Sequence, residues 1–110
     1  MDLVKEVYAL TCLLPKEETF GLSNQIRRAS VSIPSNIAEG YGRNSVKDYL
    51  RFLAIARGSK YEVETQLDIC VMLSFFSYER ARKAYMLCDE IGKMLNTLIG
   101  RLQATNKERT

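Results

Sequence analysis

The chain contains no histidine, so the commonest general base is missing and neither a Ser–His nor a Cys–His nucleophile pair can be assembled. Its neighbouring acids, Glu62 with Glu64 and Asp89 with Glu90, are spaced so that they do not face each other on a helix, and they read as solvated positions. Cys12, Cys70 and Cys88 are odd in number, far apart and set among aliphatic residues, with no C-x-x-C pair. That pattern argues against a disulfide framework or a zinc site; each thiol reads as a small hydrophobe, and a reducing cytoplasm is the expected setting. Gly40-Tyr41-Gly42 follows no strand, so it reads as a turn and not a phosphate loop. A non-enzymatic protein without cofactor or metal is expected.

The cations are more informative. Net charge is only +3, yet residues 21–61 hold seven Lys or Arg against two acids, whereas residues 1–20 and 62–76 are net acidic. Two groups stand out. Arg43, Lys47 and Arg51, at i, i+4 and i+8, form one stripe on a helix. Arg27, Arg28, Arg57 and Lys60 come together if the flanking helices make an antiparallel hairpin turning near Gly42, in which paired positions sum to about 85. Arg28 then lies across from Arg57, with Gly58 allowing close approach. Gathered cations of this kind call for an anionic partner or for acids that answer them. Glu39, Glu62 and Glu64 can answer them internally, and Arg57 with Glu64, one heptad apart, reads as a partly buried pair. The alternative is a phosphate-binding surface on which Tyr41 could stack a base; Tyr49 reads as core.

Such residues need helices to place them, and helical periodicity dominates the chain. Leu3, Val7, Leu10 and Leu14 mark a first helix that ends at Pro15. Leu22, Ile26, Ala29, Ile33 and Ile37 line a second, from about Thr19 to Tyr41, with a kink expected at Pro34 where an amide donor is lost. Leu53, Ala56, Val63, Leu67 and Cys70 line a third, capped by Ser45, about 30 residues or roughly 45 Å long. Lys60 interrupts its stripe; its stem can lie on the core while the ammonium reaches water. Ala81, Ala84, Cys88, Ile91, Leu95, Leu98 and Leu102 line a fourth, capped by Ser77. Short links make neighbours antiparallel, so the expected fold is all-α, an up-down-up-down four-helix bundle over residues 1–102 with a polar, frayed tail at 103–110.

Between Leu67 and Phe76 the third helix is apolar nearly all round, more than one core-facing stripe requires. Ile69, Met72, Leu73 and Phe76 are therefore expected at an oligomer contact. No apolar run approaches the ~20 residues of a bilayer span, and the N-terminus lacks a signal-peptide layout, so no membrane association is expected.

Gln25-Ile26-Arg27-Arg28-Ala29, Ser32-Ile33-Pro34-Ser35-Asn36-Ile37-Ala38-Glu39-Gly40, Arg43, and then Phe52-Leu53, Ile55-Ala56-Arg57-Gly58-Ser59 and Glu62 together resemble the bacterial four-helix bundle proteins of the 23S rRNA intervening-sequence family. The resemblance runs from about Leu3 to Leu102. It implies a left-handed bundle assembling as a ring-like homo-oligomer, a pentamer. Its likeness to accessory variability determinants of diversity-generating retroelements implies binding to nucleic acid and to a reverse transcriptase, with Arg27, Arg28, Arg43 and Arg57 matching the basic motif. The leading expectation is thus an RNA- or nucleic-acid-binding accessory protein. The rival is a protein-binding scaffold that does not itself touch nucleic acid.

Overall fold

The computed structural model describes residues 2–109, with side chains described as far as Asn106. The chain forms four helices and no strand among those residues: α1 (Asp2–Thr11), α2 (Leu22–Tyr41), α3 (Val46–Met72) and α4 (Tyr78–Arg109), with a 3-10 turn at Lys16–Glu18. Each helix packs on its sequence neighbour and α1 also meets α4, while among the described residues the backbones of α1 and α3, and of α2 and α4, do not approach closely, which is the square arrangement of a four-helix bundle. α4 continues as helix to Arg109 through the stretch expected to fray; Thr110 lies outside the described residues.

The expected stripes form the core. Leu3, Val7 and Leu10 of α1, Ile26 and Ile33 of α2, Leu53, Val63 and Leu67 of α3, and Ala84, Cys88 and Leu95 of α4 are all sealed from solvent. Both predicted caps are present. Ser45 Oγ accepts from Asp48 N at 3.1 Å, and Ser77 Oγ accepts from Arg80 N at 3.0 Å. Pro34 does not end α2, which runs unbroken across it. Nearby, Asn36 Nδ2 donates to both the carbonyl (2.8 Å) and the hydroxyl (2.9 Å) of Ser32, a local bond between side chain and backbone one turn apart.

Cross-helix contacts fix the register. Ser32 bonds Ser59 and Gln25 meets Gln66, so α2 and α3 are antiparallel, but each α2 residue faces a position six residues further along α3 than the simple hairpin puts it. The cause lies at Gly40. A Cβ there would stand 2.8 Å from Phe52 Cβ and 2.9 Å from Tyr49 Cδ1, so the bare backbone of α2 admits these two side chains and the first turn of α3 overshoots the end of α2. Gly58, expected to permit close approach, faces open space instead. Arg57 with Asn96 and Asp68 with Tyr85 set α3 and α4 antiparallel in the same way.

α3 stops at Met72, earlier than its hydrophobicity suggests. Ser74 takes the left-handed conformation (φ 61°), Phe75 N donates to Cys70 O at 3.0 Å, and Ser74 N donates to Val71 O at 3.0 Å, which is a Schellman ending. The reversal turns Phe76 inward, where it is buried with the core. Phe76 is therefore a core residue of the single chain, not a surface anchor. Of the other three, Ile69 is half-buried, and Met72 (73% exposed) and Leu73 stand free at the end of the helix.

Candidate nucleic-acid interface

The register decides which cations meet. Arg28 no longer faces Arg57, and the four expected at the middle of the hairpin disperse. Arg27 turns toward α1: its Nε donates to Thr11 Oγ1 at 2.8 Å, and its guanidinium lies 4.7 Å above the Tyr8 ring. Arg57 turns the other way and donates from Nη1 to Asn96 Oδ1 of α4 at 3.1 Å. Arg28 is exposed along the groove between α2 and α3, on the same cavity as Glu62.

Lys60 does not reach water. It is 7% exposed, with Nζ 2.6 Å from Glu64 Oε1 and 3.9 Å from the centre of the Tyr61 ring. It lies against Gly92 of α4, whose missing side chain makes the room: a Cβ there would sit 3.2 Å from the ammonium. Glu64 thus answers Lys60, not Arg57. Neither Lys60 nor Arg57 belongs to an outward cluster with Arg27.

At the α2–α3 turn Arg43 lies in the link before α3, and of the expected stripe only Lys47 and Arg51 stand on the helix itself. Arg43 and Arg51 both stack on Phe52, with guanidinium carbons 4.9 and 4.7 Å from the ring centre. Arg43 Nη2 also holds Glu39 Oε1 at 2.6 Å, and Arg51 Nε approaches Asp48 Oδ1 only to 4.0 Å. Lys47, one helical turn before Arg51, is exposed and has no ion pair among the described residues. Three cations therefore meet two acids, leaving the turn net positive. Tyr41 stands beside them 78% exposed, its ring edge-on to Tyr49 at 6.1 Å. Tyr49 is itself half-buried against the core.

Phe52 was not legible as a platform. It sits next to Arg51 in sequence, but its pairing with Arg43 follows from the packing of Gly40. Tyr85, Cys70 and Cys88 are structural in setting. Tyr85 donates to Asp68 Oδ1 at 2.5 Å, and burial, followed by that carboxylate, raises its phenol well above the usual tyrosine range. Burial likewise pushes the Cys70 thiol up to about 11 and the Cys88 thiol to about 12.

A helical bundle with a basic, aromatic-bearing turn is a fold and a surface, not yet a lineage. The model of the 23S rRNA-intervening sequence protein family matches residues 1–97, and the chain belongs to that family. Among solved structures it is similar to a protein of unknown function from the S23 ribosomal protein family of Bacteroides thetaiotaomicron VPI-5482. The two share 27% identity over 89% of this chain and 92% of the other, with a TM-score of 0.81. No curated protein matches the chain. No helix among the described residues is long and apolar enough to cross a membrane.

Proposed function

We propose that this chain is a non-enzymatic, cytoplasmic nucleic-acid-binding accessory protein that works as a homo-oligomer and meets RNA through the α2–α3 turn. One observation carries the reading: Arg43 and Arg51 both lie over the ring of Phe52, with Lys47 exposed in the first turn of α3 and Tyr41 exposed alongside. Guanidinium groups held on a ring keep their donors pointed outward for phosphate oxygens, and an exposed tyrosine offers a stacking surface for an unpaired base. Contacts of that kind recognise backbone and single strands with little sequence preference. The family's description, which refers to an rRNA intervening sequence, is in keeping with an RNA partner. Met72 and Leu73, with the half-buried Ile69, supply the apolar contact for self-assembly, and the family likeness favours a pentamer.

The test is RNA affinity as a function of salt. Single-stranded RNA is expected to bind at low salt with a steep salt dependence. Replacing Arg43, Lys47 and Arg51 together by Gln should flatten the slope of log K against log salt by about 2, near 0.7 per phosphate contact. Undetectable binding at low salt, or an unchanged slope in the triple variant, would contradict the assignment. A second reading, a scaffold for another polypeptide such as a reverse transcriptase, draws support from Phe20. That ring is 92% exposed in the link before α2. A pull-down that survives nuclease and depends on Phe20 would favour it.

A further inference from the structure

Midway along α2 and α3 an open polar groove of about 380 Å³ lies between the two helices. At one end the Ser32 and Ser59 hydroxyls bond each other at 2.8 Å; at the other, Gln66 Nε2 makes a long 3.4 Å contact to Gln25 Oε1. The small side chain of Ala29 lies between. Arg28 lines the groove from α2 and Glu62 from α3, yet among the described residues these opposite charges form no ion pair. Gln66 is only 9% exposed, and its Oε1 is buried without a hydrogen-bond partner. An amide oxygen left so is costly, and native proteins normally answer it with a donor.

We infer that this groove is a binding site for a small polar zwitterion, a free α-amino acid. The α-carboxylate pairs with the Arg28 guanidinium, a geometry suited to two parallel hydrogen bonds. The α-ammonium pairs with the Glu62 carboxylate, and a short polar side chain meets the Ser32 and Ser59 hydroxyls. The size falls within the range of small-molecule pockets. No aromatic ring lines it, so it offers no stacking surface for a nucleobase and no apolar slot for a large hydrophobic side chain. The site stands apart from Arg43, Lys47 and Arg51, and does not depend on the RNA-binding reading.

The test is amide chemical-shift titration of the full chain with glycine, L-serine and L-asparagine. L-Serinamide, which lacks the carboxylate, and N-acetyl-L-serine, which lacks the ammonium, serve as controls. At least one free amino acid should give saturable shifts over residues 24–32 and 59–66 with a Kd of roughly 1 mM or tighter. Both blocked analogues, and each of the variants Arg28→Gln and Glu62→Gln, should weaken binding by at least about tenfold. Arg28 and Glu62 are exposed, so neither change threatens the fold. The Arg43, Lys47 and Arg51 triple variant should titrate as the parent does, whatever its affinity for RNA. No saturable response to any of the three amino acids, or an equal response to the blocked analogues, overturns the assignment.

Discussion

Cys70 and Cys88 are sealed inside the bundle, while Cys12 lies on the surface of α1's end. Burial is the first cause of the raised pKa of both inner thiols. Glu18 adds to it at Cys70; at Cys88, Glu64 adds to it and Lys60 partly opposes it. Below the ordinary thiol pKa of 9.0 these groups are protonated whether the chain is folded or not. Above it the unfolded chain ionises and the folded chain does not, so stability is lost as the pH rises toward about 11 and 12. Native alkylation near neutral pH should therefore modify Cys12 alone, and denaturation midpoints should fall above pH 9. Rapid labelling of all three thiols in the folded protein would contradict the burial. The hydrophobic setting of both inner cysteines was legible in the sequence. The setting of Lys60 was not. Its place on the apolar stripe was plain, but the room for its ammonium comes from Gly92 on another helix, and Glu64 sits one turn along to pair with it.

At the scale of the element, starts were easier to read than stops and registers. Ser45 and Ser77 announce α3 and α4 because a hydroxyl before an apolar period can satisfy only a free amide nearby. The end of α3 carries no glycine or proline, and Ser74 takes the left-handed turn in their place, at a conformational cost. The α2–α3 register hinges on which glycine lets the helices close, and sequence offers both Gly40 and Gly58. The structure gives opposite expectations for the two. Gly40→Ala forces a methyl against Phe52 and Tyr49 and should destabilise by about 1–3 kcal/mol. Gly58→Ala meets open space in mid-helix and should stabilise by up to about 1 kcal/mol. Urea midpoints compared at constant m distinguish them. Equal effects would mean that Gly40 does not set the register. That register is also why the candidate site was only half legible. Arg43, Lys47 and Arg51 lie within nine residues of one another at the α2–α3 turn and stay close in any register, whereas a cluster spanning two helices does not.

The whole molecule is a rod, 51 × 24 × 19 Å, with unlike ends. Because α2 and α3 are antiparallel, the link before α2 and the end of α3 fall together, which puts Leu13, Phe20, Met72 and Leu73 at one end. The basic turn lies at the other. If Met72 and Leu73 mediate assembly, light scattering should report an oligomer. Changing both to Glu should then reduce it to a monomer with unchanged helicity. A monomeric parent, or an oligomer indifferent to the change, would rule that contact out. The bundle itself was legible throughout, since its four stripes keep helical period and its links are short. Which exposed groups share an end was not, because that emerges only when the helices are stacked. Photo-cross-linking of the full chain to single-stranded RNA, with the modified peptides identified by mass spectrometry, is the most direct test. Adducts should concentrate between Tyr41 and Phe52; adducts centred on Arg27 or Arg57, with the turn unmodified, would contradict an RNA contact at the α2–α3 turn.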